Sequence, residues 1–123
     1  MRLLLDTNVL IWILEDAPRI APVRDLIIAA EVYVSAVSWW EIAIKTGIGK
    51  LEMDIHEARR AAVDSGFFEL PLYGVHGETL AALPPIHRDP FDRMIVAQAI
   101  AEPMRLLTGD GVLGGYSDLV QVI

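Results

Sequence analysis

Residues 1–14 read MRLLLDTNVLIWIL, and this stretch predicts a buried β-strand that passes directly into an α-helix. The run Leu3–Leu5 is continuously apolar, which is typical of a strand that is covered on both faces. Asp6 then supplies a helix-capping side chain, and apolar residues recur at helical spacing over 9–14. A strand followed at once by a helix is the repeating unit of an α/β fold.

The same alternation continues through the rest of the chain. We therefore predict one α/β domain over residues 1–123, with a mainly parallel sheet of four to five strands flanked by helices. Pro71 places the end of the third strand near an edge of the sheet. The predicted strands cover residues 2–5, 32–34, 67–72, 104–108 and 119–122, and the predicted helices cover residues 9–14, 23–30, 36–46, 54–65, 74–83 and 90–101.

Composition narrows the classes of protein that fit. The chain has 123 residues, 54% hydrophobic residues, no cysteine and a net charge of −7. The missing cysteines exclude disulfides and zinc–thiolate sites and agree with a cytoplasmic setting. Asp6 and Asn8 interrupt the apolar start, so we expect neither a signal peptide nor a membrane span. The acidic balance argues against non-specific coating of nucleic acid, but it is compatible with acidic residues that hold a metal.

Three carboxylates stand out by their position. Asp6 and Asp110 each follow a predicted strand, and ligands of open parallel sheets collect at the carboxyl ends of the strands. Each of them can equally be only a helix cap or a turn residue. Glu41 is the only charged residue over 32–44, and a buried carboxylate is costly without a partner or a metal. An ion pair with Lys45 is the alternative explanation for Glu41.

A fourth carboxylate, Asp92, lies in the first turn of the helix predicted over 90–101, where the helix dipole by itself favours a negative charge. Four carboxylates at one mouth of the sheet would repel one another unless protons or cations are bound. Mg²⁺ and Mn²⁺ prefer oxygen ligands, and they polarise phosphoryl oxygens. The residue types therefore suit metal-assisted phosphodiester hydrolysis, whereas their spacing leaves open whether they converge.

Four motifs occur in order along the chain: LLDTN at 4–8, SWWE at 38–41, HRDPFDR at 87–93 and LTGD at 107–110. In this order the sequence resembles the PIN-domain ribonucleases, and specifically the VapC-type toxins of type II toxin–antitoxin pairs. The resemblance covers nearly the whole chain. It implies a PIN fold and a Mg²⁺- or Mn²⁺-dependent endoribonuclease that cleaves RNA in the cytoplasm.

The resemblance also implies roles for individual residues. Asp6 and Asp92 match the acidic residues that bind the metal most directly, and Glu41 and Asp110 match those that bind it directly or through water. Asp110 is the least secure of these assignments, because the turn around it is rich in glycine. Polar residues beside the motifs are implied to orient these carboxylates. They are Thr7, Asn8 and Thr108.

Basic residues near the motifs are candidates for substrate binding. Arg88 and Arg93 can hold RNA phosphates, and pairing with Asp89 or Glu102 is the alternative. Asp89 is better explained as the cap of the helix that starts at the following proline. Lys45 is the remaining candidate, on the rim of the acidic pocket.

No histidine is an obvious general base. We expect His56 on a polar helix and His76 in a loop, both at the surface. His87 adjoins the third motif, so we expect it to make substrate or structural contacts.

Partners are also implied by the resemblance. A cognate antitoxin would hold the toxin through a basic or aromatic side chain that reaches the acidic pocket, and the toxin would form a homodimer. Trp12, Trp39 and Trp40 lie in apolar segments and are expected mainly in the core, although the apolar excess leaves some surface for a partner.

Two other functions fit parts of the sequence. A phosphatase or phosphotransferase could use Asp6 as its nucleophile, but such enzymes carry a second Asp two residues later, where this chain has Asn8. A non-catalytic α/β interaction module is the other alternative, and it leaves Glu41 unexplained. The segment 47–50 reads GIGK and lacks the rest of a phosphate-binding loop, so it is better explained as a helix stop.

Overall fold

The computed structural model describes residues 1–123, and in it five strands alternate with six α-helices. Two 3-10 helices, Pro18–Val23 and Gly111–Gly115, complete the regular structure. The strands are β1 (Arg2–Leu5), β2 (Glu31–Ser35), β3 (Phe68–Leu70), β4 (Arg105–Thr108) and β5 (Val120–Val122), and the helices are α1 (Thr7–Leu14), α2 (Arg24–Ala29), α3 (Ala36–Gly47), α4 (Ile55–Asp64), α5 (Gly74–Ala81) and α6 (Pro90–Ala101).

All five strands are parallel and lie in the order β3-β2-β1-β4-β5. The central strand β1 pairs with β2 on one side and with β4 on the other, with Leu4 opposite Tyr33 and Leu106. The strand order reverses between β1 and β4, which opens a crevice beyond their carboxyl ends. The predicted α/β fold with a parallel sheet is therefore confirmed, and β3 is an edge strand as Pro71 indicated.

Two apolar layers cover the sheet. Leu3 and Leu5 point to the layer that contains α1 to α4, whereas Leu4 points to the layer that contains α6. This alternation follows from the two-residue period of a strand. Each of these leucines is fully buried and contributes about 1.5–3 kcal/mol of hydrophobic stabilisation. The central strand is thus fixed from both faces, and so is the position of the residue that follows it.

Local signals account for the helix boundaries. The Asp89 side chain accepts hydrogen bonds from the first backbone amides of α6, whose first residue is Pro90. Asp54 caps α4 in the same way. The helix predicted over 23–30 is shorter, because Pro18–Val23 forms a 3-10 helix ahead of α2. None of the six helices combines the length and the apolar character that crossing a membrane requires.

Two predictions of side-chain burial were wrong, one for His76, expected at the surface, and one for Trp40, expected in the core. His76 lies in α5 and is completely buried. Its Nε2 contacts Glu102 Oε2 at 2.6 Å, and its Nδ1 accepts the Tyr73 amide hydrogen at 3.0 Å. A buried imidazole with both nitrogens paired avoids the cost of an unsatisfied polar group. Trp40 differs in the opposite sense from the core position expected of it. Its side chain is 57% exposed and packs edge-on against Phe91.

Candidate metal centre

Asp6 lies in the crevice beyond the carboxyl ends of the central strands β1 and β4. It directly follows β1, its backbone amide donates to Leu107 O at 3.0 Å, and its side chain is 2% exposed. Its Oδ1 accepts the Val9 amide hydrogen at 2.8 Å, so the carboxylate caps α1. Burial raises the pKa of Asp6, and the negative charge of Glu41 adds to this effect, whereas the Thr108 and Val9 hydrogen bonds oppose it. Asp6 is a helix cap, as the alternative interpretation proposed, and it also faces other negative charges.

The end of β4 brings a second polar group to Asp6. The Thr108 hydroxyl donates to Asp6 Oδ2 and accepts the Asp110 amide hydrogen at 3.0 Å. Asp110 uses its own Oδ1 to accept the Val112 amide hydrogen at 2.9 Å at the start of the second 3-10 helix. Each aspartate is therefore oriented by a backbone amide, and a single hydroxyl connects them.

Glu41 enters the crevice from α3. It is 3% exposed, and its Oε2 lies 2.5 Å from Lys45 Nζ. The ion pair with Lys45 is therefore present, and this hydrogen bond is the main cause that raises the pKa of Lys45. The other oxygen, Oε1, is buried and has no hydrogen-bond partner. Lys45 therefore accounts for only one of the two oxygens, and an unpaired buried oxygen is costly.

Asp92 enters from the first turn of α6. Burial raises its pKa to about 7, with further contributions from the negative charges of Asp89, Asp6 and Glu41. The neighbouring His87 acts in the opposite direction and lowers the pKa of Asp92. Carboxylates from β1, α3 and α6 are thus close enough to repel one another, which is the arrangement that favours binding of a proton or a cation.

A histidine also belongs to this cluster. His87 Nε2 lies 2.8 Å from Asp110 Oδ2 and 3.8 Å from Asp92 Oδ2. These three residues each offer one atom within 4.8 Å of the other two. The sequence placed His87 beside the third motif but carried no signal for its contact with Asp110, which lies 23 residues further along the chain.

Family comparison supports the interpretation of this fold. A family model described as the PIN domain matches residues 3–117, nearly the whole chain. The chain belongs to the PIN domain family. The resemblance seen in the four sequence motifs is therefore confirmed at the level of this family.

Solved structures share the fold of this PIN domain. A chain of the VapBC2 crystal structure from Rickettsia felis, bound to a DNA fragment from their promoter, superposes with a TM-score of 0.77 at 15% identity. That match covers 100% of this chain and 99% of the other. A chain of a toxin–antitoxin complex from Klebsiella pneumoniae gives a TM-score of 0.69 at 21% identity and covers 97% and 95% of the two chains. Among curated proteins, no sequence match was found.

Residues expected to support the carboxylates occupy varied positions in this PIN domain. Thr108 contacts Asp6, whereas the Thr7 hydroxyl donates to Ser38 Oγ at 2.9 Å and so connects α1 to α3. Asn8 is exposed on α1. None of the side-chain hydrogen bonds to the four carboxylates comes from Thr7 or Asn8.

The basic candidates also differ from one another. Arg93 points a guanidinium nitrogen at Leu83 O, 3.4 Å away, and its Nε is buried without a partner. Arg88 is exposed, and neither arginine forms an ion pair with Asp89 or Glu102. Lys45 contacts Glu41 directly, so it is the basic candidate that the structure joins to the carboxylate cluster.

One cavity of this PIN domain lies away from the carboxylates. It has a volume of about 440 Å³ and opens near the amino ends of β2 and β3, beside Glu31 and Phe68. The carboxylates instead lie beyond the carboxyl ends of β1 and β4, at the topological switch point of the sheet.

Proposed function

We propose that this PIN domain is a Mg²⁺- or Mn²⁺-dependent endoribonuclease and the toxin of a toxin–antitoxin pair. The main support is the convergence of Asp6, Glu41 and Asp92 on one crevice, where burial raises the pKa of Asp92 to about 7 and the charges of Asp89, Asp6 and Glu41 add to this effect. Repulsion among buried carboxylates lowers the stability of the folded protein unless a proton or a cation binds. This arrangement of carboxylates therefore favours a bound cation.

The chemistry of the donor set fits a hard divalent cation. The buried, unpaired Glu41 Oε1 is a free ligand atom, and carboxylate oxygens are the ligands that Mg²⁺ and Mn²⁺ prefer. Asp6 and Asp92 would bind the cation directly, and Glu41 and Asp110 would bind it directly or through water. A cation bound there would lower the pKa of a water molecule and polarise a phosphoryl oxygen of the RNA.

Residues of the chain itself supply orientation and substrate contacts. The Val9 amide and the Thr108 hydroxyl hold the two oxygens of Asp6 in one orientation. Lys45 places a positive charge beside Glu41, where it can contact a phosphate of the substrate. Arg88 is exposed and can also contact a phosphate. Arg93 can do so as well, and one of its guanidinium nitrogens contacts Leu83 O in the loop before α6. The net charge of −7 means that RNA affinity depends on these local cations.

An antitoxin is the proposed protein partner, and a homodimer is the proposed assembly, both in the cytoplasm. Support for an antitoxin comes from the fold match to a chain of a toxin–antitoxin complex. The exposed Trp40 offers apolar surface for a protein contact.

An RNA-cleavage assay tests the proposed activity. Purified protein is incubated with single-stranded RNA and Mg²⁺ or Mn²⁺, and parallel reactions contain EDTA or no added metal. We expect cleavage that EDTA abolishes and that Asp6→Asn and Asp92→Asn reduce at least about 100-fold. Asp64→Asn is the matched control, because this exposed aspartate on α4 lies outside the cluster. Cleavage that survives both substitutions would contradict the proposal.

The same preparation separates the alternative functions. A phosphatase would release phosphate from a small phosphate ester, and a non-catalytic module would do neither. Both oxygens of Asp6 already accept hydrogen bonds, from the Val9 amide and the Thr108 hydroxyl. This arrangement suits a fixed ligand better than an attacking nucleophile.

A further inference from the structure

His87 is held by hydrogen bonds at three positions. Its backbone amide donates to the Tyr116 hydroxyl at 2.7 Å, and its ring Nδ1 accepts the Asp89 amide hydrogen at 3.0 Å. Its Nε2 lies 2.8 Å from Asp110 Oδ2. Tyr116 directly follows the 3-10 helix that Asp110 caps, so the loop before α6 and the loop after β4 are joined twice.

These contacts determine the tautomer of the ring. A backbone amide is only a donor, so Nδ1 must carry the lone pair that accepts the Asp89 amide hydrogen. A neutral imidazole then carries its proton on Nε2, which faces Asp110 Oδ2. His87 is therefore a hydrogen-bond donor to Asp110, and it cannot bind a cation through Nε2 while it keeps this tautomer.

Asp110 is fixed at both of its oxygens as a result. The Val112 amide holds Oδ1 at 2.9 Å, and His87 holds Oδ2. Without the imidazole, one amide hydrogen bond would remain, and the carboxylate could rotate about it. The side chain of Asp110 is 34% exposed, so protein packing alone does not hold it in place.

We infer that His87 is a positioning residue of the metal centre. Its Nε2–H holds the Asp110 carboxylate close to the Asp92 carboxylate, where both can contact one cation. This inference rests on the proposed function, because it concerns the same cation. Hydrogen-bond partners of ligating side chains typically change metal affinity by about 10–100-fold when they are removed. The Asp89 amide contributes indirectly, because its hydrogen bond to Nδ1 keeps the ring proton of His87 on Nε2, where it contacts Asp110.

Calorimetric titration with Mn²⁺ tests the inference without RNA. Ala at position 87 removes both ring contacts, Asn can replace only Nδ1, and the longer Gln side chain can place an amide N–H near the position of Nε2. We expect His87→Ala and His87→Asn to lower the affinity for Mn²⁺ by about 10-fold or more, and His87→Gln to retain most of it. His56→Ala is the matched control, because it removes an exposed imidazole from α4.

A spectroscopic measurement examines the wild-type protein and so does not depend on the folding of a variant. The ¹⁵N chemical shifts of His87 should show the Nε2–H tautomer both without metal and with saturating Mg²⁺. A Nδ1–H tautomer in the presence of Mg²⁺ would make His87 itself a ligand and would overturn the inference. The inference would also be overturned if His87→Ala bound Mn²⁺ as tightly as the wild type, or more tightly.

The results for the wild type separate this inference from the proposed function. If the wild type binds Mn²⁺ and only the effect of position 87 is missing, the inference is wrong and the metal centre stands. If the wild type does not bind Mn²⁺ at all, both are wrong. Thermal unfolding of each metal-free variant shows whether a loss of affinity reflects unfolding, and His87→Gln should restore affinity only if the N–H donor is what matters.

Discussion

Thr108 donates a hydrogen bond to the carboxylate of Asp6, although the two residues are 102 positions apart in the chain. Their contact follows from the sheet, since β1 and β4 are neighbouring parallel strands whose carboxyl ends meet. The same hydroxyl accepts the Asp110 amide hydrogen. One threonine therefore sets the relative positions of the acidic residues that follow the two central strands.

Replacing Thr108 with valine tests the energetic weight of this hydroxyl. The substitution keeps the shape of the side chain but leaves Asp6 Oδ2 and the Asp110 amide without this partner in a buried site. We expect the free energy of unfolding, measured by urea denaturation, to fall by about 1–3 kcal/mol. Thr79→Val is the control, since the Thr79 hydroxyl only bonds Val75 O within α5. Equal effects of the two substitutions would show that the Thr108 hydroxyl contributes no more to the free energy of unfolding than the Thr79 hydroxyl does.

A glycine pair tests how closely the loop after β4 packs. A Cβ at Gly109 would lie 2.7 Å from Cζ3 of Trp12, a ring that also stacks under the Arg19 guanidinium at 4.2 Å. Gly109→Ala should therefore lower the free energy of unfolding by about 1–3 kcal/mol, because the ring or the loop must move. Gly111→Ala is the control, with no atom within 4 Å of its Cβ. Its stability should change by less than about 1 kcal/mol in the same denaturation experiment.

The raised pKa of Asp92 predicts a pH dependence of stability in the metal-free protein. The folded state keeps this proton up to about pH 7, whereas the unfolded chain releases it near the ordinary aspartate pKa of 3.8. The folded state binds more protons in this window, so Asp92 lowers stability as the pH rises through it, and the raised pKa of Asp6 acts in the same direction.

Asp92→Asn removes this contribution. Relative to the wild type, its stability should increase between about pH 5 and about pH 7, on the order of 1 kcal/mol after allowance for solvent screening. Urea denaturation at several pH values measures the difference. Asp64→Asn should show no such trend, because that aspartate is exposed on α4. A difference between Asp92→Asn and the wild type that stays constant with pH would show that the pKa of Asp92 is not raised in the folded protein.

Divalent cations should stabilise the folded protein. A cation at about 100 times its dissociation constant adds about 2.7 kcal/mol to the free energy of unfolding. We expect Mg²⁺ or Mn²⁺ to raise the melting temperature of the wild type and of Asp64→Asn, but not that of Asp6→Asn. Differential scanning calorimetry with K⁺ at matched ionic strength separates specific binding from general screening. The same increase in Asp6→Asn would show that the cation binds elsewhere.

Much of the fold follows from local sequence signals. Pro90 and the capping residue Asp89 mark the start of α6, and the helix ends at Ala101 as predicted. The apolar run Leu3–Leu5 predicts the central strand, which is covered on both faces. These features depend on neighbours in the chain, so periodicity and capping chemistry are sufficient to find them.

Other features depend on contacts between distant segments. The contact of His87 with Asp110 spans 23 residues, and that of His76 with Glu102 spans 26. A single histidine in a polar stretch carries no local signal for such a partner, so the sequence predicts a surface position for His76 where the structure has a buried one. Trp40 shows the opposite limit, because an apolar segment can still leave one large side chain exposed.

A divalent cation held jointly by Asp6, Glu41, Asp92 and Asp110 is the centre of the proposed chemistry, and anomalous diffraction tests it most directly. Crystals soaked in Mn²⁺ are measured at a wavelength where manganese scatters anomalously. We predict a peak in the crevice beyond β1 and β4, in contact with Asp6 and Asp92, and no peak there in crystals of Asp6→Asn. An empty crevice in wild-type crystals soaked to saturation, or a peak only at other acidic residues, would contradict the proposed metal centre.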